Sequence, residues 1–163
     1  MDIRTRADYD HGPNEVFAVL TDPDFVAATV NQMSVGGQSH QVTTRDDHTV
    51  VTTRRTLPTD DLPDVAKKFA GPVLILDEVQ DWGPAGPDGA RHGTVTLRID
   101  GVPVGLTGTL DLTPSAKGAT QEVRADLKAK VPLIGGTIEK AAAPAIIAGI
   151  DAVAEMAKER LHG

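Results

Sequence analysis

The 163-residue sequence predicts an α+β fold, a curved antiparallel sheet of about seven strands in the order β-α-α-β6-α, wrapped around one long C-terminal helix. Three observations lead there. Apolar and polar residues alternate with period two in "DIRTRADYD" and in "ATQEVRADLKAKVP", which marks half-buried strands. The six later strand candidates are joined by hairpin-length links, which makes them antiparallel neighbours. The terminal stretch "VPLIGGTIEKAAAPAIIAGIDAVAEMAKERL" is helical in its period, and no other element is large enough to cover a sheet with one apolar face.

In the first strand Ile3, Thr5, Ala7 and Tyr9 share one face, and Arg4, Arg6 and Asp8 the other. Gly12 ends it, and Pro13 suits the first turn of a short helix. Val16, Phe17, Val19 and Leu20 give that helix an apolar side. Thr21 or Asp22 caps a second helix, with Pro23 in its first turn and Phe25, Val26 and Val30 along it. Residues 33–45 and 48–57 then read as strands joined at Asp46-Asp47. "LPDVAKKFAG" is a brief helix or loop holding Phe69, and "PVLILDEVQDW" is a strong apolar run. "GPAGPDGARHG" gathers glycine and proline into an exposed turn. Val95, Leu97 and Ile99 share a face of the next strand; Val104, Leu106, Leu110 and Leu112, with Gly108 among them, share a face of the one after. In the last strand Val123, Ala125, Leu127, Ala129 and Val131 point inward, between outward-facing charges. There is no internal repeat and no polar linker, so residues 1–163 read as one domain.

The terminal helix is the unusual element. At 100° per residue from Ile134, an apolar arc collects Ile138, Ala142, Ala145, Ile146, Gly149, Ile150, Val153, Ala157 and Leu161. Lys140, Asp151, Glu155, Lys158 and Glu159 lie opposite. Pro144 stands inside it, at a cost of roughly 3 kcal/mol and with a kink as the usual result. Gly135 and Gly136 belong at its entrance, where glycine costs less. Aromatic residues make up only 3% of the chain. A bent helix and few large side chains predict a cavity between helix and sheet. The competing reading is that Pro144 only fits the helix to the curvature of the sheet, with the alanines in tight contact.

Composition excludes several classes. No run approaches the length of a transmembrane helix. "MDIRTRADYD" is charged from its second residue and lacks the apolar centre of a secretion signal. There is no cysteine, hence no disulfide framework and no thiolate chemistry. A soluble cytoplasmic protein follows. The formal net charge of -7 argues against nucleic acid and against loose adsorption to anionic headgroups. It leaves open the extraction of a lipid into the interior.

The order of elements resembles the helix-grip fold of the START and Bet v 1-like superfamily, which includes polyketide cyclase-like proteins. "YDHGPNEVFAVLTDPDF" resembles the opening of such a domain, and the terminal stretch looks like the ending of a small actinobacterial family of uncharacterised function. The resemblance spans nearly the whole chain. It implies an apolar pocket between sheet and terminal helix, and it does not settle a reaction, because the superfamily holds carriers, receptors, cyclases and hydrolases.

The residues themselves carry little catalytic signal. His11, His40, His48, His92 and His162 show no metal-ligand spacing, and only His40 and His48, across a hairpin, are candidate neighbours. There is no nucleophile elbow and no phosphate-loop pattern. Neither a metal nor a cofactor is expected. Glu139 falls within the apolar arc. Facing a cavity it would have a raised pKa and serve as an acid or base; otherwise it complements the helix dipole or turns outward. Arg55 shares a strand face with Val51 and Leu57 and either holds an anionic ligand head from inside or reaches water. Trp82 borders a pocket mouth or caps the core. The expected lining set is Arg55, Trp82, Leu97, Leu106, Ile138, Glu139, Ala142, Ile146 and Ile150. These residues point to a binder of an apolar, lipid- or polyketide-like molecule. The alternative is a cyclase- or dehydratase-type enzyme using the same pocket. A protein-interaction module, working through a sheet edge or the Gly/Pro turn, is the third reading.

Overall fold

The computed structural model covers residues 1–163. Strand β1 (Asp2–Tyr9) is followed by helices α1 (Pro13–Leu20) and α2 (Pro23–Gln32), then by β2 (Ser39–Arg45) and β3 (His48–Pro58). A one-turn helix, α3 (Asp64–Lys67), precedes β4 (Val73–Trp82), β5 (Arg91–Ile99), β6 (Val104–Pro114) and β7 (Ala119–Ala129), and α4 (Gly135–His162) ends the chain. All strands form one sheet in the order β1-β7-β6-β5-β4-β3-β2, antiparallel throughout. The predicted fold class and element order are those observed.

Register places the expected alternation on one inner face. Ile3 lies opposite Ala125, Leu106 opposite Leu127, Leu97 opposite Leu106 and Leu76 opposite Ile99. All but the half-buried Ile99 belong to a core of 22 buried residues that also takes in Val16, Leu20 and Phe25 of α1 and α2. Gly108 sits on this face because nothing larger fits: a Cβ there would come 2.5 Å from the Ala125 Cα.

Local signals explain the element ends. Pro13 opens α1. Of the two capping candidates, Asp22 is the N-cap of α2 and its carboxylate accepts from the Asp24 N–H. Thr21 instead donates its hydroxyl to the Phe17 carbonyl, 2.7 Å away, and closes α1. Strand β2 is shorter than predicted. Residues 33–38 leave the strand path because Gly36 and Gly37 take φ of 126° and 63°, while Ser34 and Val35 hydrogen-bond to Thr56 at the end of β3. Asp46 takes φ of 54° at the β2–β3 turn, a conformation Asp tolerates better than most residues.

Helix α4 has the expected 28 residues. Ile138, Ala143, Ala154 and Ala157 are its buried positions, while Ala142, Ile146, Gly149, Ile150, Val153 and Leu161 are half-buried. Ala145 was expected inside and is exposed, as is Pro144. The arc is centred nearer Ala157 and Ala143 than Ile138, which leaves Ala145 beyond its rim. The helix packs mainly on β1 and β7 and on helices α1 and α3; the middle strands lie farther from it.

The β7–α4 link is strained. Leu133 has φ of 70°, and the Ile134 N–H donates to the Pro132 carbonyl at 2.9 Å. A bond from i+2 to i around a residue of positive φ is the rare form of γ-turn. Leu133 is fully solvent-exposed, at 104% of its reference area. The turn is fixed on both sides, by Gly135 N–H to Val131 O and Lys130 N–H to Pro103 O. Replacing Leu133 by Gly is expected to raise stability by about 1 kcal/mol, or roughly 2–4 °C in Tm at this size. An unchanged or lowered Tm in calorimetry would show that the turn stores no strain.

Candidate ligand-binding cleft between the sheet and the terminal helix

Strand β4 alternates Leu74, Leu76, Glu78, Gln80 and Trp82 toward the inner face and Val73, Ile75, Asp77, Val79 and Asp81 toward the outer one. The predicted apolar run therefore puts two polar side chains inside. Across the β3–β4 register Arg55 lies opposite Leu76, with Thr53 opposite Glu78. Arg55 is 9% exposed. Its Nη2 donates to Glu78 Oε2 at 3.1 Å. Gln80 Nε2 donates to Glu78 Oε1 at 2.7 Å, and Trp82 Nε1 donates to Gln80 Oε1 at 3.2 Å. One chain of hydrogen bonds thus runs from the indole to the guanidinium. Arg55 Nη1 lies 3.9 Å from the Met33 sulfur, at the C-terminal end of α2. Arg55 Nε is buried without a partner.

Apolar groups surround this polar row without closing over it. Leu57, Leu74 and Ile99 on the sheet are half-buried, as are Val65 of α3 and Ile146, Ile147 and Ile150 of α4. Gly149 of α4 lies beside the Met33 methyl, which a Cβ there would meet at 3.4 Å, an ordinary contact distance. The face bounded by β3–β5, α3 and the middle of α4 is taken as the candidate cleft. Two hollows lie elsewhere. One of 340 Å³ sits between Phe25, Met156 and Arg160 at the far end of α4, and one of 300 Å³ lies beside Arg4, Thr107 and Arg124.

The structure distributes the predicted lining residues unevenly. Arg55 is on the inner face, paired with Glu78. Ala142, Ile146 and Ile150 are half-buried on α4. Leu97, Leu106 and Ile138 are buried core residues. Trp82 is fully buried, with the Phe17 ring edge-on at 5.9 Å; it caps the core and does not border a mouth. Glu78 and Gln80 were missed. The available signal was parity, since both share a face with Leu76 and Trp82.

Glu139 requires a correction. Its angular position on the inner arc is as expected, but its place along the helix puts it over the end of β7. There Oε2 accepts the Ala129 N–H at 3.0 Å and Oε1 lies 3.3 Å from the Met1 ammonium. The Ala129 N–H, and next the ammonium, hold its carboxyl below the ordinary 4.5, opposite to the rise expected in an apolar cavity. The Met1 ammonium is itself raised above 8.0, chiefly by its hydrogen bond to Asp126. A depressed acid contributes stability above its unfolded pKa and loses it as pH falls through the folded value; a raised base contributes below its unfolded pKa and loses it as pH rises through the folded value. The clamp is therefore complete between about pH 4.5 and 8.0. Glu139→Gln is expected to lower Tm at pH 7, with the difference from the parent shrinking as the pH drops below 4.5. A difference that persists at pH 2–3 would assign it to lost packing rather than lost charge.

The histidines stay apart from the cleft's polar row. His48 pairs with Asp81 at 2.6 Å and His92 with Asp111 at 2.5 Å on the outer face. His40 lies opposite Thr53, on the other face of the β2–β3 hairpin from His48. His11 and His162 meet ring to ring near the chain ends. No cluster of three His, Cys, Asp or Glu side chains could hold a metal ion.

A seven-stranded antiparallel sheet gripping one long terminal helix is the fold of START and Bet v 1-like proteins. The chain belongs to the DUF2505 family, described as a protein of unknown function, whose model matches residues 4–161. Among curated proteins none matches the sequence. Solved structures similar to it include a protein from Thermus thermophilus, with 13% identity over 98% of this chain and 96% of that one and a TM-score of 0.64. A STAR-related lipid transfer protein from Xanthomonas axonopodis shows 15% identity over 99% and 86%, with a TM-score of 0.63. The Zhui aromatase/cyclase of a Streptomyces species shows 12% identity over 99% and 95%, with a TM-score of 0.59. At such identities the likeness is one of fold.

The Arg55–Glu78 pair lends itself to a double-mutant cycle. Removing one member leaves the other charge buried, so Glu78→Leu and Arg55→Met are each expected to cost roughly 2–4 kcal/mol. The double variant should recover at least about 1 kcal/mol of the sum. Strict additivity in urea denaturation would show the two charges to be independent.

Proposed function

We propose that the protein binds an apolar small molecule, lipid- or polyketide-like, in the cleft between the inner sheet face and α4. The supporting observation is a set of apolar side chains left half-buried, Leu57, Leu74 and Ile99 on the sheet and Ile146 and Ile150 on α4, together with one buried arginine on the inner sheet face. Core residues at such positions are ordinarily buried fully. Covering them with an apolar ligand would contribute about 25 cal/mol per Å² removed from water. Arg55 supplies the polar end. Its Nη2 donates to Glu78, which balances the charge. Fold likeness to a lipid transfer protein supports the same reading as analogy.

The reaction alternative, which takes Glu139 or a pocket histidine as its acid-base group, is weakened at Glu139, an engaged carboxylate at the helix entrance. The carboxylate that remains inside, Glu78, is bound by both Arg55 and Gln80.

Native mass spectrometry after mild purification and titration with a fluorescent fatty acid test the proposal together. Saturable binding of the probe is expected, and Ile146→Trp, which fills the cleft, should weaken it about tenfold or more. No copurifying molecule and no saturable binding would overturn it. So would equal affinity in the Ile146→Trp variant.

A further inference from the structure

The chain has no cysteine, so the thioethers of Met1, Met33 and Met156 hold its only sulfur atoms. Among them only Met33 has its sulfur within hydrogen-bonding range of a donor, 3.9 Å from Arg55 Nη1. Met33 is the C-cap of α2 and is half-buried, and its methyl lies beside Gly149 of α4. The main chain holds it in place. The Met33 N–H donates to the Thr29 carbonyl at 3.0 Å. Ser34 Oγ accepts the Thr56 N–H at 2.9 Å, and the Val35 N–H donates to the Thr56 carbonyl at 2.8 Å. Thr56 follows Arg55 on β3, so the end of α2 is fastened to the strand right beside the guanidinium.

Arg55 is poorly supplied with acceptors on that side. Glu78 takes Nη2 at 3.1 Å, Nε has no partner, and the Met33 sulfur is the one acceptor for Nη1. A thioether is a weak acceptor, and a guanidinium only 9% exposed ordinarily finds oxygen for its donors. The spacing is the one an oxygen would need. Bonded to the sulfur 3.9 Å away, with an ordinary bent angle at the oxygen, such an atom would lie about 2.9 Å from Nη1, the usual N–H···O length.

We infer that Met33 is a site of reversible oxidation by hydrogen peroxide, and that its sulfoxide oxygen accepts a hydrogen bond from Arg55 Nη1. The sulfur gives an electron pair to one peroxide oxygen, and the S–O bond forms as the O–O bond breaks. The departing hydroxide takes the proton of the transferred oxygen and leaves as water, so the sulfur is oxidised and the peroxide reduced. A sulfoxide reductase reverses the change. In an apolar interior a sulfoxide is disruptive. Here its oxygen meets an ionised donor, and bonds of that kind are stronger than neutral ones. Oxidation thus tightens the hold of β3 on the end of α2, whether or not the cleft carries a ligand. Residues 35–41 next to Met33 are exposed, which leaves a small peroxide an approach.

The test treats the full chain with hydrogen peroxide, places the added oxygen by peptide mass spectrometry and compares melting temperatures. Met33 should gain one oxygen, and the oxidised parent should melt roughly 3 °C above the untreated protein. A sulfoxide reductase should return it to the starting value. Met33→Leu, which keeps the bulk and cannot be oxidised, should gain nothing from the same treatment; it removes any contribution of Met1 and Met156. Met33→Gln, whose amide oxygen imitates the sulfoxide, should melt above Met33→Leu with no oxidant present. A Met33 left unoxidised under conditions that convert Met1 would overturn the inference. An oxidised parent that melts at or below the untreated one, or an equal rise in Met33→Leu, would do the same.

Discussion

Strand β1 finds its partner in β7, the last strand in the chain, across eight residue pairs from Asp2–Asp126 to Tyr9–Ala119. This pairing makes the surface on which α4 lies, because the helix meets the sheet chiefly along these two strands. Ala143, Ala154 and Ala157 allow a close approach there, since a methyl group keeps the helix near the sheet where a larger side chain would lift it. The middle strands lie farther from the helix, and its Ile146 and Ile150 stay half-buried.

The polar row on the inner sheet face fits the same geometry. A guanidinium and a carboxylate are costly to remove from water unless they satisfy each other. Arg55 and Glu78 are held on adjacent strands in a register that brings them to 3.1 Å, and Gln80 and Trp82 continue the chain of donors and acceptors. Such a group fixes orientation for whatever lies over it, and the surrounding aliphatic side chains supply the bulk of any binding energy.

Much of this was legible in the sequence. Alternation in "DIRTRADYD" and "ATQEVRADLKAKVP" marked the two strands that carry α4, and the length of the terminal helix was read correctly. Arg55 shares a face with Val51 and Leu57, which leaves open whether it points inward or reaches water; the structure buries it. Glu78 was not legible, since "PVLILDEVQDW" is apolar on both faces at its start and shows its parity only through Leu76 and Trp82. The ends of β2 were lost because two glycines and the contacts of Ser34 with Thr56 redirect the chain, and the latter is a tertiary contact between residues 22 apart. Glu139 shows the other limit. A helical wheel gives the direction of a side chain around the axis and says nothing of what lies opposite it along the axis.

The closing of β1 onto β7 also bears on how the molecule is made. The first strand leaves the ribosome early, yet its only sheet neighbour begins at Ala119 and the helix that covers both starts at Gly135. Nearly the whole chain must exist before the apolar face of β1 can be hidden, and pairings this distant in sequence form slowly. Until then Ile3 and Tyr9 travel exposed. The alternating Arg4, Arg6 and Asp8 on the opposite face keep that early segment soluble and discourage its pairing with another nascent copy.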